Sequence, residues 1–313
     1  MTTFIDPQAV APAPTPSGGS GSVPAQRKRS FGQWFRHKGW RHVVGVVTTV
    51  FAVFPLLYVL SAALNSNGTM AGSNALFTAF DGGNFEALFS DPTRPFGRWF
   101  MNTMVIGVVT SAATVFLGAL AAYAFSRMRF TGRRVSLLSL LILQMFPQLL
   151  AVVAIFLLLN AITDVVPWLG LGSQLGLIMV YLGGALGVNT YLMYGFFNTI
   201  PISIDEAAKL DGASHAQIFF TIILRLVSPI LAVVGLLSFV SAFGEFIIAK
   251  LVLSRVENYT LGVGLYVWAS DERNAPWGLF AAGAVVAAIP VVLLFQFLQR
   301  YIVSGLTAGS VKG

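Results

Sequence analysis

The sequence predicts an all-α protein that crosses a membrane several times. Three observations carry this prediction: the 313 residues are 56% hydrophobic and only 10% charged, the mean hydropathy is +0.78, and the apolar residues gather in runs of membrane-crossing length. Soluble chains carry about 25% charged residues, so this chain lacks the polar surface to stay in water alone. A helix needs about 20 apolar residues to cross a ~30 Å hydrocarbon core. Six segments meet that length, roughly Val43–Leu64, Phe100–Phe125, Val135–Leu159, Leu175–Phe197, Leu226–Ala249 and Leu279–Phe297. They are too long and too uniformly apolar for barrel strands, and a backbone in lipid must satisfy its own hydrogen bonds.

Residues 1–30 differ in kind. The run APAPTPSGGSGSVPA at 11–25 cannot bury enough apolar surface to offset its ordering entropy, which predicts a disordered cytoplasmic tail. The first apolar run is longer than a signal-peptide core and follows a leader of over 40 residues, so it reads as an uncleaved span. Residues 40–304 form one membrane domain in this reading, and 305–313 a short C-terminal tail on the cytoplasmic side.

Orientation follows from the basic residues, which concentrate in cytoplasmic segments. Fourteen of the 19 Lys and Arg fall in the N-terminal leader, the second-to-third and fourth-to-fifth connections and the C-terminal segment. The other five are Arg94, Arg98, Lys250, Arg255 and Arg273. Both termini are therefore expected in the cytoplasm of a multi-pass protein of the cell (inner) membrane. Outer connections carry Trp99, Trp168, Trp268 and Trp277, which suit a headgroup belt.

The formal charge of +7 points to lipid rather than to nucleic acid. The basic clusters lie between apolar runs instead of forming a stripe, as anionic headgroups require. With no cysteine, disulfides and thiolate metal sites are excluded. His37, His42 and His215 are too scattered for a metal centre. No G-x-x-x-x-G-K-[ST] run occurs, so no nucleotide site is evident and the chain is not expected to be an enzyme or to bind a cofactor.

The most informative stretch is NTIPISIDEAAKLDGASHAQIFFTIILRLVSPIL at 198–231, within a cytoplasmic connection at about 198–228. It predicts two short helices around a glycine turn. Ser203 and Glu206 fit a capping box, and Asp205 and Glu206 place negative charge where the helix dipole favours it. Asp211-Gly212 ends the helix, with Gly212 in the left-handed conformation. Ser214 and Gln217 offer a second capping box, and Ile218, Phe219, Ile222 and Ile223 give the next helix an apolar face. Such a segment is either a docking surface or an ordinary loop with a well-capped helix.

Inside the spans, Gln144, Gln148 and Asn189 are candidates for lining a pathway or for helix-to-helix hydrogen bonds. Glu245, in SAFGEFIIAK, is an ionisable residue at membrane depth and so a functional candidate. It serves either as a substrate contact or as an outer-end carboxylate paired with Lys250.

Glu206-Ala207-Ala208, Asp211-Gly212-Ala213, Ile222, Leu224 and Pro229 resemble the EAA loop of binding-protein-dependent ABC importers, whose pattern is EAA-x-x-x-G with a later I-x-L-P. The pattern's proline after Leu224 is Arg225 here. The resemblance extends over roughly residues 40–313 and is nearest to the second permease subunit of maltose-type carbohydrate importers. ENYTLGVGLYVW at 257–268, APWGLFAAGAVVAAIPVVLLF at 275–295 and GLTAGSVKG at 305–313 carry it. It implies a type I importer permease fold, a second permease subunit and two ATPase subunits that bind ATP and Mg2+. It also implies an extracytoplasmic sugar-binding protein that meets the segment at about 255–276. Ser203, Glu206, Ala207, Ala208, Asp211, Gly212 and Ala213 would then form the ATPase-coupling surface, and the substrate would be maltose, maltodextrin or a related oligosaccharide. An ion-coupled transporter or channel, and a passive scaffold for a soluble enzyme, are the competing readings.

Overall fold

The computed structural model describes residues 35–65, 76–78, 80–270 and 276–310, with backbone alone at 36, 37, 148, 149 and 302–310. The tail expected over 1–30 lies outside the described residues. Every described element is a helix or turn. By contacts the chain forms two compact units, Met1–Val53 and Phe54–Gly313. The first unit holds a π-helical turn at Phe35–Gly39 and the start of helix α1, Trp40–Ala63. Thr49 Oγ1 there donates to the Gly45 carbonyl at 2.8 Å, which is how a hydroxyl is satisfied inside an apolar helix.

The second unit is built on α3, Phe96–Arg127, preceded by the short α2, Gly83–Ser90. Then follow α4, Arg133–Gln144, α5, Gln148–Val165, and α6, Gln174–Phe197. A second group comprises α7, Ile202–Leu210, α8, His215–Leu226, and α9, Ser228–Gly244. The last helices are α10, Ile247–Val252, α11, Leu261–Ala269, and α12, Trp277–Ser310. Helices α3, α6 and α9 pack on one another, and α12 lies against α9.

Among the described residues, four helices are long and apolar enough to cross a membrane (α1, α3, α6 and α12), and α8 with α9, bent by 78°, makes a fifth candidate. The expected third span is divided. Its helix stops at Gln144, and α5 starts after Pro147. Proline has no N–H to bond the preceding turn and crowds the carbonyl four residues back, so a continuous helix through 145–147 is disfavoured. The expected fifth span also breaks, at Glu245 and Phe246, where Glu245 turns extended with ψ 131°.

The core follows α3 along its length. At one end Trp99 packs with Phe96, Leu88 of α2 and Leu261, Leu265 and Trp268 of α11. In the middle Ile106 meets Leu177 and Ile178 of α6 with Ala242 of α9. At the other end Ala119, Ala122 and Tyr123 meet Met193 and Phe197 of α6 and the α7–α8 segment. Trp168 is exposed as a belt residue would be, but Trp99 and Trp268 are fully buried, which corrects their assignment to an interfacial belt. The cause is that residues 255–269 fold back onto α3. Trp99 Nε1 donates to the Val256 carbonyl at 2.7 Å, Asn102 Nδ2 to the Glu257 and Tyr259 carbonyls, and the Leu261 N–H to Thr103 Oγ1 at 2.7 Å. The approach is close enough that a Cβ on Gly264 would stand 2.0 Å from Trp99 Cε3.

Candidate functional site: the α7–α8 segment and the polar cavity beside Glu245

Helix α7 starts earlier than its residues suggest. Pro201 is the N-cap, with φ −57° and ψ 133°. Ser203 therefore lies inside the first turn and caps nothing, so the expected Ser203–Glu206 box does not form. A proline's fixed φ suits a helix start, and it shifts the boundary ahead of the serine. The C-terminal end is as expected. Gly212 has φ +82°, its N–H bonds the Lys209 carbonyl and the Ala213 N–H bonds the Ala208 carbonyl, both at 3.0 Å. This paired closure satisfies the last carbonyls of the helix. Ser214 and Gln217 form the second capping box, with Ser214 N donating to Gln217 Oε1 at 2.8 Å and Gln217 N to Ser214 Oγ at 3.3 Å.

Two faces of α7 differ in burial. Asp205 and Ala208 turn inward, Ala208 joining Ile218, Phe219 and Ile223 of α8 in the core cluster at the end of α3 and α6. Ser203, Glu206 and Ala207 are exposed, as are Asp211 and Gly212. Among the expected coupling residues, Ala208 is therefore buried and Ala213 half-buried. Two apolar residues complete the free face: Leu210 is 89% exposed and Ile202 58%. Their spacing with Glu206 (i, i+4, i+8) was the available signal, since those positions share one side of a helix.

Asp205 is held by Arg127, the last residue of α3. The guanidinium Nε and Asp205 Oδ2 are 3.0 Å apart, with side chains 6% and 5% exposed. Arg127 also donates through Nη2 to the Ile200 carbonyl and through Nη1 to Ser126 Oγ, both at 3.0 Å. A cation at a helix C-terminus and an anion in a first turn are each favoured by the helix dipole. The pair therefore ties α7 to α3 in a direction that both helices support.

Beyond α8 the chain bends. Arg225 continues the helix to Leu226, Val227 breaks it with φ −92° and ψ 6°, and Pro229 enters the first turn of α9.

The membrane-depth candidates separate into two places. Glu245 does not pair with Lys250 but anchors the start of α10. Its Oε1 accepts from Ile248 N at 2.8 Å, and its Oε2 from Ala249 N at 3.0 Å and from the Tyr181 hydroxyl at 2.6 Å. Lys250 instead lies 5.6 Å above the Tyr259 ring and 5.8 Å from that of Tyr266, a cation–π arrangement. Asn189 Nδ2 donates to the Ala185 carbonyl and across to Ser238 Oγ of α9. Asn189, Ser238 and Glu245 line one cavity of about 260 Å3 with Thr110, Tyr181 and Ser241. Gln144 lines a neighbouring apolar cavity of about 730 Å3 and donates to the Gly184 carbonyl at 2.6 Å. The Gln148 side chain lies outside the described residues.

Residues 114–308 match the family described as the binding-protein-dependent transport system inner membrane component. The chain belongs to this family. As a member it is a multi-pass protein of the inner membrane. Among curated relatives, it is 39% identical over 267 residues to the galactooligosaccharides transport system permease protein GanQ of Bacillus subtilis, covering 84% of this chain and 92% of that one. It is 37% identical over 282 residues to the maltose/maltodextrin transport system permease protein MalG of Escherichia coli, covering 87% and 95%. Among solved structures, it is similar to a chain of a bacterial ABC transporter involved in import of the acidic polysaccharide alginate. That match has a TM-score of 0.72 and 25% identity, covering 87% of this chain and 99% of that one. A second alginate transporter structure, in complex with a pentasaccharide-bound periplasmic protein, matches in fold with a TM-score of 0.58.

Proposed function

We propose that this chain is a permease subunit of an ATP-driven importer for an oligosaccharide of the maltodextrin or galactooligosaccharide kind. It would form half of the pathway. The observation that carries the coupling part of this reading is α7: a short helix, capped at its C-terminal end, pinned to α3 by a buried ion pair, with a free face of Ile202, Ser203, Glu206, Ala207 and Leu210. That face is the docking surface for an ATPase subunit. ATP and Mg2+ belong to that subunit, and this chain catalyses nothing itself.

The full assembly comprises a second permease, two ATPase subunits and an extracytoplasmic sugar-binding protein. Relatives named as oligosaccharide permeases and a structural neighbour solved with its periplasmic protein support it. Six crossings with both termini in the cytoplasm follow if α4 and α5 together make the third span and α9 with α10 the fifth.

Mechanistically, nucleotide shifts an inward–outward equilibrium only through contacts that differ between the two states. Movement of the docked ATPase is passed through α7 to α3 by the Arg127–Asp205 pair and by the apolar contacts of Ala208, Ile218 and Phe219. The test is uptake by proteoliposomes containing the complete assembly. ATP-dependent accumulation of maltotriose or a galactotriose is expected. Accumulation driven by an ion gradient without ATP would refute the reading.

A further inference from the structure

The turn between α3 and α4 collects positive charge that no described carboxylate offsets. Arg129, Arg133 and Arg134 lie within six residues, and none of them pairs with an acidic side chain among the described residues. Arg127, just before them, is taken up by Asp205. The first turn of α4 adds no acidic residue, and Gly132 at its N-cap supplies no side-chain cap. Arg133 reaches a neutral group, the Tyr194 hydroxyl at 3.4 Å, with its guanidinium 5.9 Å from the ring. A guanidinium is charged at any physiological pH. Three of them around one cavity repel one another, so an anion among them is favoured.

The cavity is open and measures about 390 Å3, and its other walls are Phe130, Gly132 and Val135. Two features set its shape. Gly132 takes φ +86°, a left-handed conformation that suits glycine and reverses the chain. The Phe130 ring packs on Phe125, with centroids 5.7 Å apart. One wall is therefore cationic and the other apolar. The apolar side continues along α4, where Val135, Leu138 and Ile142 are 68%, 58% and 65% exposed. Their spacing (i, i+3, i+7) puts them on one side of the helix. From Arg134 to Ile142 a helix rises ~12 Å, close to the ~15 Å hydrocarbon depth of one leaflet. Cationic turn and apolar stripe together have the proportions of one amphiphile.

We propose that the α3–α4 turn is a binding site for an anionic glycerophospholipid. Its phosphodiester sits among Arg129, Arg133 and Arg134, and an acyl chain lies along Val135, Leu138 and Ile142. The fork of a guanidinium matches two phosphate oxygens at once. A glycerol headgroup adds hydroxyls and no further charge, whereas an ethanolamine headgroup would bring its ammonium against three cations. Free phosphate would satisfy the arginines and leave the apolar stripe uncovered, while a lipid covers both. The inference is independent of the importer reading. It places a lipid headgroup two residues along the chain from Arg127, which ties α3 to α7.

The test is native mass spectrometry of the full-length protein, purified with the subunits that accompany it. It is titrated with phosphatidylglycerol or phosphatidylethanolamine of the same chain length. Phosphatidylglycerol should bind about tenfold or more tightly. One basic residue near a membrane surface gives about a fivefold gain in affinity for anionic lipid. Arg129→Gln and Arg134→Gln should therefore each weaken binding about fivefold, and the double variant about 25-fold. Arg225, exposed on α8, is the control, since Arg225→Gln removes the same charge outside the cavity and should leave affinity within about twofold. Equal losses from Arg225→Gln and Arg134→Gln would mean a diffuse field and overturn the site. Equal affinity for the two lipids would overturn it too. Glycerol phosphate in about tenfold excess should not displace phosphatidylglycerol. Displacement would leave a simple anion site and overturn the lipid assignment. Loss of the accompanying subunits from the double variant, with lipid affinity unchanged, would make the cluster a protein contact and overturn the proposal as well.

Discussion

Removing either member of the Arg127–Asp205 pair should loosen α7, and the two removals should not be equal. The pair is almost fully enclosed, at 6% and 5% exposure, and breaking such a pair costs about 3–5 kcal/mol because it strands a buried charge. Asp205→Ala leaves Arg127 with the Ile200 carbonyl and Ser126 Oγ, so its cost should fall near the low end. Arg127→Met leaves a carboxylate whose oxygens have no hydrogen-bond partner among the described residues, so its cost should fall near the high end. At about 1.4 kcal/mol per factor of ten, amide exchange at Asp211, Gly212 and Ala213 should accelerate by about a hundredfold for Asp205→Ala. For Arg127→Met the acceleration should be about a thousandfold or more. Those three N–H groups close the helix onto Ala207, Lys209 and Ala208, which makes them direct reporters. The assay is hydrogen exchange read by mass spectrometry on the protein in nanodiscs. Replacing both residues with Met and Leu should recover much of the protection lost in Arg127→Met, since a matched apolar pair strands no charge. Exchange within about threefold of the unaltered protein in Arg127→Met would refute the tie between α7 and α3.

Other substitutions test separate parts of the account. Gly212→Val puts a β-branched residue at φ +82°, a strain of about 1–3 kcal/mol. Membrane insertion should survive while sugar uptake and its coupled ATP hydrolysis fall together, measured side by side in proteoliposomes. Gly264→Ala drives a methyl to 2.0 Å from Trp99, and overpacking of this kind costs about 1–3 kcal/mol. A lowered Tm in detergent, with the defect localised by exchange to residues 255–269, is expected. Leu210→Asp places a charge on the exposed face of α7 without touching the core, so the chain should remain folded while co-purification of the ATPase drops at least tenfold.

The long helices were legible because length and apolar composition alone decide them. Val43–Leu64 and Leu175–Phe197 in the sequence differ little from Trp40–Ala63 and Gln174–Phe197 in the structure. Gly212 and the Ser214–Gln217 box were legible because each depends on residues within one turn. Ser203 was misread for the converse reason: Pro201, two positions earlier, competes for the same helix start and wins. Trp99 and Trp268 have the composition of belt residues, and only the return of residues 255–269 onto α3 buries them. No local pattern announces that packing. The same holds for Arg127 with Asp205 and for Tyr181 with Glu245, whose partners come from distant parts of the chain. The break at 145–147 was present in the sequence as Pro147, but a proline in a membrane helix produces either a kink or a stop, and neighbouring helices decide which.

The proposed coupling surface can be tested directly by cross-linking, since the chain contains no cysteine. Single cysteines at Ala207 and Leu210, both exposed, and at Ala208, which is buried, would each be paired with a cysteine in the cleft of the ATPase subunit. The account predicts disulfides from 207 and 210, none from 208, and loss of ATP-driven uptake that returns on reduction. Cross-linking from 208 as efficient as from 210, or undiminished uptake with α7 locked to the ATPase cleft, would contradict it.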